Sequence, residues 1–137
     1  YWASLQLRPG AKGISTDVCV PISRLAECVV QTQEDIAANK LIAPIVGHAG
    51  DGNFHVLILL DTAIPAEIEA AEAFVERLNA RALAMDGTCT GEHGIGQGKR
   101  SYLSLEMGES VSVMRQIKQA LDPMNIMNPG KLFPFEA

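Results

Sequence analysis

The sequence predicts an α+β fold of the ferredoxin-like type, a split βαβ arrangement with one antiparallel sheet and helices on one face. Three observations carry this prediction: strand-type segments at 15–22 and 87–91, two apolar runs joined at Asp51–Gly52, and a helical apolar stripe over 64–85. The resulting order is strand, helix, strand, strand, helix, strand. A C-terminal helix and an extended tail complete the predicted architecture.

The first third of the chain predicts one strand and one helix. Residues 1–14 lack any periodic pattern and are expected to be irregular. The segment "STDVCVPI" then predicts a strand, which ends at Pro21 because proline has no N–H to donate to a neighbouring strand. Ser23 is a suitable N-cap for a helix that runs to about Asn39. The residues at helical spacing on its inner face are Leu25, Val29, Thr32 and Ile36.

Two strands and a long helix are predicted next. The runs "IAPIVGH" and "FHVLILL" are β-branched and apolar, which is typical of strands that are buried on both faces. Between 64 and 85 the apolar residues step by four and three, so this segment is the strongest helix prediction in the chain. "GTCTG" at 87–91 predicts a short fourth strand that leads into a glycine-rich loop.

The C-terminal third predicts one helix and an extended tail. The helix opens at Glu109 or Ser110 and stops at Asp122, because a residue before proline disfavours helical geometry. The tail contains two prolines and a glycine, so an extended strap is expected. Two helices on one face of the sheet leave the other face in need of a cover, which indicates a further domain or a partner.

Bulk properties narrow the classes of partner. The net charge is −5 and the only adjacent basic pair is Lys99–Arg100, which argues against nucleic acid or an anionic membrane as the main partner. No apolar run is long enough to cross a bilayer. Three cysteines without a C-x-x-C spacing suit a reducing compartment. The chain starts at Tyr1 without a signal-like segment, so we expect a fragment of a longer protein.

The stretch "GHAGDGNFHV" predicts a hairpin that brings two histidines together. A type I′ turn at Asp51–Gly52 would pair His48 directly with His55 on the same face of the sheet. Opposed residues have Cβ atoms about 4.5–5.5 Å apart, and two imidazoles could then bind one metal ion at about 2.0–2.1 Å. The alternative is an ordinary turn with two solvated histidines, since the hairpin alone supplies no third ligand.

A second stretch, "TGEHGIGQGKR", offers candidates for that third ligand. It does not form a Walker A phosphate loop, because His93 stands where the first glycine is required. Glu92 could complete a set of two histidines and one carboxylate with open positions, which is typical of a catalytic metal. Cys89 is a rival ligand, although a cysteine in an apolar strand is more often part of the core. A surface Glu92 and a loop His93 remain the simpler interpretation of this pair.

Three stretches taken together resemble one protein family. "PIVGHAGDGNFHVLILLD", "GTCTGEHGIGQGKR" and "ALDPMNIMNPGKLF" occur in the order found in the C-terminal part of the FAD-linked oxidases. These flavoproteins include D-lactate dehydrogenases, glycolate oxidase subunits and D-2-hydroxyglutarate dehydrogenases. "GISTDVCVPISRLAE" also resembles the strand that opens this region, so the resemblance covers essentially residues 1–137. It implies an N-terminal FAD-binding domain that this chain lacks.

The resemblance also implies roles for particular residues. Three positions match the family's ligands for a divalent metal, zinc or manganese, beside the flavin: His48, His55 and Glu92. His93 matches the histidine proposed as general base. Asn128 and Lys131 match tail residues near the flavin, and the tail 122–137 is expected to pack toward it.

The expected function follows from the resemblance. The full protein would oxidise a D-2-hydroxyacid, D-lactate being favoured, to the 2-oxoacid with hydride transfer to FAD, and this chain alone would be inactive. Glycolate and D-2-hydroxyglutarate are alternative substrates, and a non-catalytic ferredoxin-like module that binds a metal or a partner is the rival function. The electron acceptor stays open, and a homodimer is compatible with the sequence. A mitochondrial location is expected in a eukaryote; in a bacterium, the cytoplasm or the inner face of a membrane.

Overall fold

The computed structural model describes residues 1–133, which divide into two units at the Glu92–His93 boundary. The first unit contains, in order, α1 (Trp2–Leu5), β1 (Lys12–Ser15), β2 (Val18–Cys19), α2 (Ile22–Ala38), β3 (Ile45–His48), β4 (Asn53–Leu60) and α3 (Pro65–Ala84). The second unit contains α4 (Arg100–Met107) and α5 (Ser110–Leu121). No helix within residues 1–133 combines the length and the apolar character needed to cross a membrane.

Strand β4 is the centre of the antiparallel sheet in the first unit. Along one side it pairs with β1 at its C-terminal half and with β2 at its N-terminal half, and along the other side it pairs with β3. The predicted fourth strand is reduced to one antiparallel bridge between Cys19 and Thr88. The order strand, helix, strand, strand, helix, bridge confirms the predicted ferredoxin-like α+β class.

The two long helices and one face of β4 form the core. Val56, Ile58 and Leu60 alternate along β4 and join one buried cluster with Phe74 and Leu78 of α3. Side chains of this size contribute about 1.5–3 kcal/mol each when they are removed from water. The predicted inner face of α2 also belongs here: Thr32 is buried, and three partly buried residues pack against the cluster, namely Leu25, Val29 and Ile36.

Ion pairs join α2 to α3 at the edge of this core. The Asp35 carboxylate accepts hydrogen bonds from Nη2 of Arg77 at 2.7 Å and from Nη2 of Arg81 at 2.9 Å. Burial acts to raise the pKa of Asp35, but the hydrogen bonds from the two guanidinium groups outweigh it, so the pKa is lowered. The paired charges fix the packing of the helices that cover one face of the sheet.

The other face of β4 carries Asn53, His55, Leu57 and Leu59, because alternate residues of a strand point to opposite faces. Leu57 and Leu59 are only 5% and 3% exposed. The N-terminal segment packs here, since the Leu57 side chain and the Tyr1 ring lie 2.9 and 3.2 Å from where a Gly13 Cβ would stand. The prediction of an irregular segment over residues 1–14 was therefore wrong, because it contains α1 and most of β1.

Several predicted boundaries need correction. The predicted strand 15–22 is two short strands with a break at Thr16–Asp17. Helix α2 begins two residues earlier than a Ser23 cap would require, because its N-cap is Pro21. The prediction that both apolar runs are buried on two faces holds for β4 but is wrong for β3, which lies at the sheet edge and is largely exposed. The long helix predicted over 64–85 is confirmed as α3.

In the second unit, α5 is confirmed and α4 was not predicted. The tail prediction was wrong for 122–133, which forms turns rather than an extended strap. Asp122 is buried and accepts hydrogen bonds from the backbone amides of Ile126 at 3.0 Å and Met127 at 2.9 Å. A further hydrogen bond from the Lys118 ammonium is the main cause that lowers the pKa of Asp122. Residues 134–137 of the predicted tail lie outside the described residues.

Candidate metal site on the histidine hairpin

The β3–β4 hairpin has a longer loop than the sequence predicted. His48 pairs with Asn53 and Val46 pairs with His55, so residues 49–52 form a four-residue loop. The Asp51 amide donates to the His48 carbonyl at 2.9 Å. Only Gly52 of the predicted two-residue turn has a positive φ, of 75°, whereas a type I′ turn needs two such residues. The predicted direct pairing of His48 with His55 was therefore wrong by two residues.

The two histidines nevertheless lie on the same face of the sheet. A shift of two residues preserves the alternation of side chains, whereas a shift of one would have separated them. His48 and His55 are now diagonal neighbours, with ring centroids 6.1 Å apart and planes at 87°. The alternation along the strands, rather than the turn type, brings the rings together.

Gly52 fixes the position of the loop against the end of β2. The Val20 amide donates to the Gly52 carbonyl at 3.0 Å. A Cβ on Gly52 would stand 2.1 Å from the Val20 carbonyl oxygen. This close backbone approach and the positive φ explain why a glycine is needed here.

Glu92 brings a carboxylate to the same place. Its Oε1 lies 3.0 Å from Nε2 of His55 and its Oε2 lies 3.9 Å from Nε2 of His48. One ligand atom from each of the three residues lies within 4.8 Å of the others. A tetrahedral ion with bonds of about 2.1 Å needs ligand atoms about 3.4 Å apart, which is between the two measured separations. Cys89, the rival ligand, is fully buried and is not among the candidate ligand groups in residues 1–133.

The hydrogen bonding of His55 suits a metal ligand. Its Nδ1 lies 3.0 Å from the Thr16 carbonyl, which can only accept, so the ring proton belongs on Nδ1. The Nε2 lone pair then faces the Glu92 carboxylate at 3.0 Å, an arrangement that needs a proton or a cation between the two atoms. Metal-binding histidines commonly donate their second N–H to a backbone carbonyl in this way. The donor set therefore fits a divalent cation.

The exposure of the three side chains differs. The His55 side chain is 12% exposed, whereas those of His48 and Glu92 are 60% and 50% exposed. One ligand is thus anchored in the sheet and two face outward. An ion held here would keep an open side for a further ligand, as in catalytic sites.

Sequence reasoning missed Asp17, a buried residue beside this cluster. Its Oδ1 accepts a hydrogen bond from Nδ2 of Asn53 at 2.9 Å and lies 3.7 Å from Nδ1 of His55. Its Oδ2 accepts hydrogen bonds from the Thr90 hydroxyl at 3.1 Å and the Glu92 amide at 3.0 Å. Aspartate is disfavoured in strands, so an Asp within "STDVCV" was the available signal.

The remaining predicted site residues belong to the second unit. His93 is exposed and follows Glu92 directly. Asn128 and Lys131 are exposed and share one turn, in which the Lys131 amide donates to the Asn128 carbonyl at 3.3 Å. Asn128 adopts a positive φ of 46°.

Comparison with known proteins gives one family and several relatives. The chain is 56% identical over 96% of its length to a probable mitochondrial D-lactate dehydrogenase of Danio rerio, and 46% identical over 97% to a mitochondrial D-lactate dehydrogenase [cytochrome] of Arabidopsis thaliana. It is 40% identical over 90% of its length to the glycolate oxidase subunit GlcD of Bacillus subtilis. It spans about a quarter of each relative, namely 27%, 24% and 27% of their lengths.

The family comparison covers the hairpin, Glu92 and the turn at Asn128 in one alignment. The family described as FAD linked oxidases, C-terminal domain, matches residues 1–132. Since this match includes nearly all of the chain, the protein belongs to the family of FAD linked oxidases and comprises their C-terminal domain.

Proposed function

We propose that this chain is the C-terminal domain of a flavin-dependent dehydrogenase that oxidises a D-2-hydroxyacid, D-lactate being favoured, to the 2-oxoacid. The observation that carries the proposal is the convergence of His48, His55 and Glu92, whose ligand atoms lie within 4.8 Å of one another. Relatives named D-lactate dehydrogenase, at 56% and 46% identity, support the choice of substrate.

The three side chains would hold a divalent cation. Two imidazoles and one carboxylate suit zinc or manganese, and ferrous iron also accepts this set. Such an ion, when bound, would lower the pKa of the substrate hydroxyl and orient it. His55 supplies the fixed ligand, because its Nδ1–H donates to the Thr16 carbonyl and turns Nε2 outward. His48 and Glu92 complete the set from the exposed side.

His93 is proposed as the general base. It follows Glu92 in the chain and is exposed, which suits a group that must reach a substrate. A histidine takes up and releases a proton near neutral pH, which suits removal of the hydroxyl proton as the Cα hydrogen leaves as hydride.

FAD would be held mainly by polypeptide outside this chain and would accept the hydride. Asn128 and Lys131 are proposed to contact it, and the tail 122–137 to pack toward it. Both side chains are exposed on a single turn, which is consistent with contact to a group bound elsewhere. The FAD-binding domain of the same protein is thus the proposed partner.

The location and the remaining partners are expectations. Two eukaryotic relatives are named mitochondrial, so in a eukaryotic source we expect a mitochondrial enzyme. A bacterial enzyme would lie in the cytoplasm or at the inner face of the membrane. The electron acceptor is open, and a homodimer is compatible with the fold.

The test uses the full-length protein with its flavin. Its metal content is measured by elemental analysis, and its turnover with an artificial electron acceptor is compared across D-lactate, glycolate and D-2-hydroxyglutarate, with L-lactate as a control. The proposal predicts stoichiometric zinc or manganese and the highest kcat/KM for D-lactate. Metal binding without turnover of any hydroxyacid would instead support the non-catalytic module.

Glycolate oxidation is the second candidate function. The relative that favours it is the glycolate oxidase subunit GlcD, at 40% identity. A higher kcat/KM for glycolate than for D-lactate in the same panel would establish this alternative and leave the proposed metal site unchanged.

A further inference from the structure

Asp17 is a fully buried carboxylate next to the proposed metal ligands. Its side chain is 0% exposed and lies in the break between β1 and β2. Both of its oxygens act as acceptors, for Asn53 on one side and for Thr90 and Glu92 on the other. A buried carboxylate is tolerated only where donors replace the lost water, so this geometry depends on these donors.

Two of those donors belong to the segment that carries Glu92. The Glu92 amide donates to Oδ2 of Asp17 at 3.0 Å, and the Thr90 hydroxyl donates to the same atom at 3.1 Å. The segment also fits closely, because a Cβ on Gly91 would stand 1.8 Å from Nδ2 of Asn53. Asp17 therefore fixes the backbone from which the Glu92 carboxylate projects.

The Thr16–Asp17 break between β1 and β2 also supports the His55 ring. The Thr16 carbonyl lies 3.0 Å from Nδ1 of His55, and Oδ1 of Asp17 lies 3.7 Å from that nitrogen. Asn53 connects this break to β4, since its Nδ2 donates to Asp17 and also to the Val18 carbonyl at 3.2 Å. One break in a strand thus contacts two of the three proposed ligands.

We infer that Asp17 is a positioning residue that holds Glu92 and His55 at the separation one divalent cation requires. This inference rests on the proposed metal site. Asp17 acts through the Glu92 amide and through the Thr16–Asp17 break behind the His55 ring. Partners of this kind commonly change metal affinity by about 10- to 100-fold when they are removed.

The test replaces Asp17 by asparagine in the full-length protein. Asp17→Asn keeps the shape of the side chain, but its amide group must turn an N–H toward either Asn53 or the Thr90–Glu92 donors. After removal of metal by a chelator, Mn²⁺ binding is measured by calorimetry. We expect the Kd for Mn²⁺ to rise by about 10- to 100-fold, and a Kd within about twofold of the unmodified protein would overturn the inference.

A matched control separates positioning from loss of stability. Thr32 is also 0% exposed, and its hydroxyl donates to the Cys28 carbonyl at 2.7 Å and accepts from Arg81 at 3.0 Å on the helix side of the sheet. Thr32→Val should lower the Tm without changing the Kd for Mn²⁺. An equal rise in Kd for Thr32→Val and Asp17→Asn would assign the effect to general destabilisation and overturn the inference.

Two further measurements keep the inference testable. If Asp17→Asn does not fold, Thr90→Val removes the hydroxyl that donates to Oδ2 of Asp17 and should raise the Kd for Mn²⁺ by about 3- to 10-fold. An unchanged Kd overturns the inference. If the unmodified protein binds no Mn²⁺, the proposed metal site fails by itself. The crystal structure of Asp17→Asn then decides the positioning role, because the segment 90–92 should be displaced and an unmoved segment would contradict it.

Discussion

His48 and His55 lie diagonally across one hairpin with their rings 6.1 Å apart, yet their side chains are 60% and 12% exposed. The first is a surface residue at the end of an edge strand. The second is held in the central strand by the Thr16 carbonyl. Their replacement should therefore affect stability very differently while affecting metal binding alike.

We predict that His48→Ala and His55→Ala each weaken metal binding by on the order of 100-fold or more, because each removes a ligand. Removal of a residue that only supports a ligand lowers metal affinity by about 10- to 100-fold, so the loss of a ligand should have the larger effect. His48→Ala should change the free energy of unfolding by less than about 0.5 kcal/mol. His55→Ala should cost about 1–3 kcal/mol, because it removes the ring hydrogen bond to the Thr16 carbonyl and leaves that oxygen with only the 3.4 Å hydrogen bond from the Ser15 hydroxyl. Elemental analysis and denaturant unfolding of the full-length protein measure the two quantities.

Val46→Ala is the matched control for the histidine variants. Val46 lies on β3 with His48, pairs with His55 of β4 and is 55% exposed, but it has no metal-binding atom. It should retain stoichiometric metal. Stoichiometric metal in both histidine variants would refute the proposed site.

The hairpin loop gives a second prediction through two glycines. Gly52→Ala should destabilise the protein by more than about 2 kcal/mol, since alanine is strained at a φ of 75° and its Cβ would meet the Val20 carbonyl. Gly50→Ala should be close to neutral, because nothing lies within 4 Å of the Cβ position. Thermal unfolding of both full-length variants provides the comparison, and equal Tm values would contradict the described loop geometry.

The sequence allowed the shared face of His48 and His55 to be predicted, but not the register between them. The alternation of side chains along a strand is a local property, so both histidines stay on one face although the predicted register was wrong by two residues. Loop length depended instead on the contact between Gly52 and the Val20 carbonyl, two residues far apart in the chain. Both Gly50 and Gly52 could serve a tight turn, so the local sequence did not decide between them.

Asp17 shows that contacts between residues far apart in the chain could not be predicted from the sequence. Its partners, Asn53, Thr90 and Glu92, are 36, 73 and 75 residues away, and no short pattern connects them. The break that Asp17 makes in the first strand could be suspected from the low strand preference of aspartate. Which donors would satisfy the buried carboxylate could be learned only from the packed structure. Helix α3, by contrast, was predictable because twenty residues repeat one apolar spacing.

The proposed base gives a third prediction. His93→Ala in the full-length enzyme should lower kcat for D-lactate by about 10²- to 10⁴-fold, because it removes the group that takes the hydroxyl proton. The metal content should stay stoichiometric, since His93 is not one of the three proposed ligands. Turnover with an artificial acceptor and elemental analysis on the same sample measure both. Unchanged turnover would exclude the base role, and loss of the metal would instead indicate that His93 is a ligand.

The last prediction concerns acid stability and the pair formed by Arg8 and Glu67. Nη1 and Nη2 of Arg8 donate to the two Glu67 oxygens at 2.6 and 2.9 Å, and these hydrogen bonds, with a further one from the Asp61 amide, lower the pKa of Glu67 from 4.5 to about 2. A lowered pKa in the folded state contributes stability that is complete above pH 4.5 and is lost as the pH falls toward 2.

Glu67→Gln should therefore lower the Tm of the full-length protein at pH 7, and the difference from the unmodified protein should shrink steadily below pH 4.5. Glu69→Gln, an exposed change on the same helix, should alter the Tm little at any pH. A Glu67→Gln difference that stays constant from pH 7 to about pH 3 would show that the pair does not contribute through ionisation.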